Sequence, residues 1–237
     1  MRPDSALAVL AADHTRLAGT AHVGVLVPWA NMIVESELPR LGLERVVFHY
    51  SRLVPARRYR ALDEFLCELA AAVPAALGEL ARLSLAGTLL ACTSVGFAFP
   101  APYANATVVS AFDAILSALR RLGTDRIVLV TPYPVAWTVR EVDALAARGV
   151  IVLGHASLGL DLLDDYTAVL PGQVNELVDQ VGPEALARAQ ALVLSCTAWP
   201  TRHVIGDLES TLGIPVVSSN LALGLQAVQI ALAGQPA

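Results

Sequence analysis

Short, nearly unbroken apolar runs recur along the chain, at residues 22–27, 45–49, 88–92, 126–131, 150–153, 191–196 and 214–217. They are rich in Val, Leu and Ile with little polar alternation, the pattern of strands buried on both faces of a parallel sheet. Stretches of helical period lie between them. A helix over residues 31–38 has Asn31 in the N-cap position and Pro39 as its stop. Residues 57–83 form a longer helical pattern, which Pro74 is expected to kink or break. Further helices are expected over residues 111–122, 135–148, 164–181, 202–212 and 219–232. Strand–helix alternation of this kind predicts a parallel sheet with helices on both faces.

The pattern also repeats. Val25-Leu26-Val27-Pro28 matches Leu129-Val130-Thr131-Pro132, and Leu89-Leu90-Ala91-Cys92-Thr93 matches Val193-Leu194-Ser195-Cys196-Thr197, both at an offset of 104 (132 minus 28, 196 minus 92). Val46-Val47 aligns with Ile151-Val152 at 105, and Val108-Val109-Ser110 with Val216-Val217-Ser218 at 108. Four matches in one order at nearly one offset mark an internal duplication. The expected architecture is α/β, with two pseudosymmetric flavodoxin-like lobes, each a parallel sheet with helices on both faces. Residues 1–21 form an N-terminal extension, 22–110 with 218–237 the first lobe, and 111–217 the second. Ligands of open parallel sheets bind beyond the carboxyl ends of the strands, so the active site is expected in the cleft between lobes.

Composition narrows the chemistry. Of 237 residues, 55% are apolar and 16% charged, against a usual charged share of about 25%. Such a chain has ample apolar surface to fold. A net charge of -5 gives no footprint for nucleic acid. All 16 basic residues are arginine, which removes lysine Schiff bases, pyridoxal phosphate chemistry and the phosphate-loop lysine. The uncharged stretch 88–107 contains Pro100, Pro102 and Asn105, which would leave backbone groups unmet in a bilayer. The first 21 residues lack a basic segment beyond Arg2, and Asp4 and Asp13 flank their apolar run. Three widely spaced cysteines, Cys67, Cys92 and Cys196, make a poor disulfide framework. A soluble, cytoplasmic protein is expected, with no membrane partner and homo-oligomerisation left open.

The duplication puts one Cys-Thr pair at the carboxyl end of an equivalent strand in each lobe. Free cysteine is usually inert core, but this placement makes Cys92 and Cys196 a candidate catalytic pair facing each other across the cleft. A helix following each strand would aim its amides at the thiols and lower their pKa. Cys67 has no such context and reads as core. The first strand of each lobe ends in a proline turn, which brings Asn31 and Tyr133 towards the same cleft. Neither the histidines nor the cysteines show metal-ligand spacing, and no nucleotide-binding loop or nucleophile elbow is present. No metal and no cofactor are expected.

These residues carry a family resemblance. Val27-Pro28-Trp29-Ala30-Asn31-Met32-Ile33-Val34-Glu35, then Glu37-Leu38-Pro39, resembles the opening of maleate cis–trans isomerases. Leu194-Ser195-Cys196-Thr197-Ala198-Trp199-Pro200-Thr201, then Ile214-Pro215-Val216-Val217-Ser218-Ser219-Asn220, resembles their second cysteine region. Ala91-Cys92-Thr93-Ser94 is similar to a segment of arylmalonate decarboxylases. All belong to the aspartate/glutamate racemase superfamily, and the resemblance covers nearly the whole chain from His22. It implies a cofactor-independent isomerase of a small carboxylate or dicarboxylate. Cys92 would add to the double bond as a thiolate, and Cys196 would donate and accept the proton. Asn31 and Tyr133 would hold carboxylates or flank the reacting carbon, and Thr93, Ser94 and Thr197 would supply further donors. Alternatives are an amino-acid or hydantoin-type racemase, an arylmalonate-decarboxylase-like enzyme, and, of another class, a non-catalytic small-acid binding protein. Two features depart from the isomerase pattern: Trp29 replaces a small residue, and residues 158–165 lack an asparagine and carry aspartates that would repel a dicarboxylate.

Overall fold

The computed structural model describes residues 5–57, 61–99, 108–161 and 166–235. An N-terminal helix α1 (Ala6–Thr15) starts at Ser5, whose hydroxyl accepts the Ala8 N–H. The first half of the chain then runs β1 (Ala21–Pro28), α2 (Val34–Glu37), a 3-10 turn (Leu38–Leu41), β2 (Val46–Leu53), α3 (Leu62–Leu80), β3 (Gly87–Leu90), α4 (Thr93–Ala98), β4 (Val108–Ser110) and α5 (Ala111–Leu122). The second half runs β5 (Arg126–Thr131), α6 (Val135–Ala146), β6 (Ile151–Ser157), α7 (Pro171–Gln180), α8 (Pro183–Arg188), β7 (Ala191–Leu194), α9 (Ile205–Leu212), β8 (Val216–Ser218) and α10 (Ser219–Ala233). No helix among the described residues is long and apolar enough to cross a membrane.

The strands form two four-stranded parallel sheets in the orders β2-β1-β3-β4 and β6-β5-β7-β8. The central strands are buried almost end to end, as their apolar runs require. Register reproduces the duplication: Val23 pairs with Gly87 and Ile127 with Ala191, each 104 residues on. His22 pairs with Val47 and Arg126 with Ile151, so Val47 corresponds to Ile151 at 104. An irregularity between Ile127 and Val128 then inserts one residue in β6, and Gly154 corresponds to His49 at 105. The offset of 105 assigned to Val46-Val47 and Ile151-Val152 is therefore one too many at that point; it begins after the bulge.

Each sheet ends in a serine-capped helix. Ser110 Oγ accepts the Asp113 N–H at 3.1 Å at the start of α5, and Ser218 Oγ accepts the Leu221 N–H at 3.1 Å at the start of α10. The C-terminal helix α10 packs on the first sheet and against α5 and α1. The N-terminal extension is thus built into the fold, with Leu10 and Leu17 buried.

Several local expectations differ from what forms. Pro74 does not break α3, because it sits on the exposed face while Phe65, Leu69, Val73, Ala76 and Leu80 bury the other. Pro39 does not stop the helix after Asn31; it lies in the first turn of the 3-10 segment, where its missing N–H costs nothing. The pattern over 164–181 is divided at Pro171, which starts α7, and its first two residues lie outside the described ones. Cys67 is exposed on α3, not core, since it falls off the buried stripe. Arg121 is ion-paired with buried Asp13, which ties α5 to α1.

Candidate active site

The carboxyl ends of the central strands of both sheets meet at one cavity. It is tight, with a volume of about 20 Å³ open to the centre of a water molecule. Cys92, Thr93 and Ser94 enter from the end of β3, Asn31 from the turn after β1, Tyr133 from the turn after β5, and Cys196 and Thr197 from the end of β7. All seven candidate residues therefore line one space. Leu62, Phe65 and Leu66 of α3, with Pro28, Tyr166 and Ala198, complete the wall. Among the described residues no lysine or arginine lines it; the polar groups that do are amides, hydroxyls and the two thiols.

The two thiols sit in different frames. Cys92 is the residue before α4, and the Val95 and Ser94 amides at the start of that helix act to lower its thiol. Burial nevertheless outweighs those amides and pushes the thiol up to about 11. Cys196 is followed by a turn, with α9 starting only at Ile205. Its sulfur accepts one amide, from Ala198 at 3.3 Å. Burial pushes this thiol up to about 12; the Ala198 amide and the Tyr133 hydroxyl lower it, and charges on Cys92 and Glu141 raise it. The expected net lowering of both thiols by helix amides is thus reversed, because desolvation is the larger effect. Cys196 also has φ +136°, in the region that L side chains rarely adopt. Strain of this kind costs roughly 1–3 kcal/mol, and the surrounding structure holds it: the Cys196 N–H donates to Ser219 Oγ at 2.9 Å.

Hydrogen bonds tie the two cysteine segments together. Ser219 Oγ also pairs with Thr93 Oγ1 at 2.9 Å. Thr197 donates to the Ala91 carbonyl at 2.8 Å and accepts from Asn31 Nδ2 at 3.0 Å. Asn31 is not the N-cap of α2, which is Ile33; its Oδ1 accepts the Ile33 and Val34 N–H groups at 2.9 and 3.2 Å in the turn leading into that helix. An amide nitrogen has two hydrogens, so Asn31 holds that turn with its oxygen and keeps one N–H for a ligand. Tyr133 lies between Ser94 and the Cys196 sulfur; its hydroxyl is held well above the usual phenol range by burial first, then by charges on Cys196 and Glu141.

Other residues matter that the sequence reading did not single out. Glu37 Oε1 accepts the Thr201 and Arg202 amides at 2.8 Å each, and its Oε2 accepts Asn220 Nδ2 at 2.8 Å. Glu141 is fully buried and accepts the Ser195 hydroxyl at 2.6 Å. Tyr166 packs edge-on against Tyr133 with centroids 6.0 Å apart. The signal for the two acids was available: Glu37 and Glu141 are themselves 104 residues apart (141 minus 37). Trp29, the departure from the isomerase pattern beside Asn31, is 46% exposed and is not among the residues that line the cavity. Of the aspartates in 158–165, Asp161 is exposed and off the cavity, and residues 162–165 lie outside the described ones. His203 is exposed.

Comparison with known proteins agrees with this geometry. The profile of the arylmalonate decarboxylase family matches residues 103–236, more than half of the chain. The chain belongs to the arylmalonate decarboxylase family. It is 32% identical over 124 residues to the arylmalonate decarboxylase of Bordetella bronchiseptica, covering 52% of this chain and 51% of that one. It is 27% identical over 228 residues to the maleate isomerase of Nocardia farcinica, covering 86% and 87%. This family member also superposes on a solved Nocardia farcinica maleate cis–trans isomerase variant with a covalently bound succinylcysteine intermediate. The TM-score there is 0.77 at 24% identity, over 89% of this chain and 94% of the other. These relatives belong to the aspartate/glutamate racemase superfamily, and the likeness spans both lobes.

Proposed function

We propose that the protein is a two-cysteine cis–trans isomerase of a small unsaturated carboxylate or dicarboxylate. The observation that carries this reading is the pair of buried cysteines, one from each sheet, lining one cavity with Asn31, Thr93, Ser94, Tyr133 and Thr197. Length-wide similarity to maleate isomerases supports it. In the reaction, the Cys92 thiolate adds to one alkene carbon. The π pair moves to the neighbouring carbon, which takes a proton from the Cys196 thiol. The resulting single bond rotates. Cys196 takes the proton back, the C–S bond breaks, and the trans alkene leaves with Cys92 again a thiolate. Atoms and electrons balance with the two thiols alone.

The division of roles follows from their frames. Two amides stabilise a charge on Cys92, whereas Cys196 has one amide and faces Glu141. The substrate carboxylate is assigned to the free Asn31 N–H and to the hydroxyls and amides of Thr93, Ser94 and Thr197.

A second reading, decarboxylation of a substituted malonate, is favoured by the family profile and by the apolar wall of Leu62, Phe65 and Leu66. One experiment separates the two. Maleate, a panel of substituted malonates and chiral amino acids are incubated in D₂O, with mass spectrometry of the protein and analysis of products and CO₂. Isomerisation predicts a trans product, a mass adduct on Cys92 and no CO₂. Cys92→Ser and Cys196→Ser each lose about four orders of magnitude in rate, the order typical for a nucleophile or its proton partner, and Cys67→Ser loses none. CO₂ release with deuterium in the product establishes the decarboxylase instead. Deuterium at an inverted stereocentre without CO₂ establishes a racemase.

A further inference from the structure

Glu141, at the middle of α6, has no part in the reaction just described, yet it is the most unusual ionisable group near it. It is fully buried. One oxygen accepts the Ser195 hydroxyl at 2.6 Å, and Ser195 immediately precedes Cys196. The other oxygen, Oε2, is buried with no hydrogen-bond partner. A carboxylate so placed would carry a full charge against a single donor, which is costly. A carboxylic acid carries none.

The duplication supplies an internal comparison. Glu37, 104 residues earlier, is also buried but has a donor for each oxygen: two backbone amides and the Asn220 side chain, all at 2.8 Å. Those donors come from the segment after Cys196 and from α10. Both repeat-related acids therefore act on the Cys196 side of the cavity, one on each flank of Cys196, and neither is among the groups that shift Cys92.

The surroundings set the sign of the effect. The ionisable groups facing Cys196 are Cys92 from the β3–α4 junction, Tyr133 from the turn after β5, and Glu141 from α6. Those facing Tyr133 are Cys196, Glu141 and Cys92. Each of these is negative when ionised, and among the described residues no cation stands with them. A charge on Glu141 therefore opposes any charge on Cys196 or Tyr133. Burial pushes Glu141 up to about 8, with only Ser195 pulling it back.

We propose that Glu141 is a positioning residue for Cys196: held as the neutral acid, it orders Ser195 and lets the thiol give up and regain its proton, and its ionisation closes that exchange. This rests on the reading of Cys196 as the proton carrier, but its test needs no substrate and so fails or succeeds apart from the isomerase assignment.

The test uses the full chain with Cys67→Ser and Cys92→Ser, which leaves Cys196 as the sole thiol, with and without Glu141→Gln. Gln keeps the acceptor for Ser195 and cannot ionise. Site alkylation by iodoacetamide is followed by mass spectrometry at pH 7 and pH 9.5, and the infrared carbonyl band of a protonated carboxyl is followed over the same range. At pH 7 the two proteins should alkylate at nearly the same rate. At pH 9.5 the Glu141→Gln protein should react about tenfold faster, the effect of one unit in thiol pKa. A carboxylic acid band present at pH 7 only with Glu141 should disappear by pH 9.5. Equal alkylation rates at pH 9.5, zero included, overturn the proposal. So does a rate increase of the same factor at both pH values, which marks a loosened structure. Absence of the carbonyl band overturns it as well.

Discussion

Replacing Glu141 by Gln should stabilise the protein in alkali and barely change it in acid. The carboxyl sits at about 8 in the folded state against an ordinary 4.5. Between those values the folded protein holds a proton that the unfolded chain has released. Stability therefore falls as pH rises through this window, by about 1.4 kcal/mol per unit. The neutral acid's contribution is fully present below 4.5 and is lost as pH rises through 8. Gln does not titrate, keeps the acceptor for Ser195 and has nearly the same volume. Other groups titrate alike in both proteins and cancel in the difference. Between pH 5 and pH 8 the advantage of the variant over the parent should accordingly grow by about 4 kcal/mol. Urea unfolding of both proteins at the two pH values, with equal m-values as the check on comparability, measures this directly. A difference between variant and parent that stays constant within about 1 kcal/mol from pH 5 to pH 8 would refute the neutral buried acid.

Two further predictions concern the polar frame. Asn31→Asp keeps the oxygen that holds the turn into α2 but removes the N–H offered to a ligand. Carboxylate affinity should fall by about 2 kcal/mol or more with little change in melting temperature, as measured by competitive anion binding and calorimetry; equal affinity would move the anion elsewhere in the cavity. Glu37→Ala strips the acceptor from two amides and the Asn220 side chain at once. Unfolding in urea should show a loss of about 3–5 kcal/mol, less only if water reaches the amides; a loss under about 1 kcal/mol would show that these bonds do not hold the segment after Cys196.

The parts of the fold legible in the sequence were those where burial leaves a periodic trace. Strands β1, β3, β5 and β7 are sealed on both faces, so their runs of Val, Leu and Ile stand out. The duplication was legible for the same reason, and with it the meeting of Cys92 and Cys196 at one cavity. Three-residue strands such as β4 leave almost no run of their own. Pro74 and Pro39 misled because a proline's effect depends on which face it occupies and where in the turn it falls, which spacing alone does not encode. Cys67 was misplaced by one step around α3. The bulge in β6 was visible as a drift from 104 to 105, but its position was settled only by pairing. Thiol basicity was the larger miss. The amides at the start of α4 were foreseen, whereas the desolvation that outweighs them depends on how tightly α3, Tyr133 and Tyr166 close the cavity.

A duplicated fold poses a chemical difficulty that this site resolves in its side chains. Two equivalent lobes would present two equivalent thiols, and the proposed reaction needs one to attack carbon and the other to carry a proton. The backbone already departs from symmetry, since a helix follows Cys92, whereas Cys196 is itself strained and is followed by a turn. The two glutamates 104 residues apart extend the difference. Glu37 spends both oxygens holding the strand-to-helix segment beyond Cys196, and Glu141 grips Ser195 on its other side with one oxygen left over. The second thiol is thus pinned from both flanks by acids at equivalent positions of the repeat, whereas burial and the amides of α4 alone shift Cys92. On this reading the cysteines were copied together and their roles were separated afterwards, by what each buried acid found to bond with.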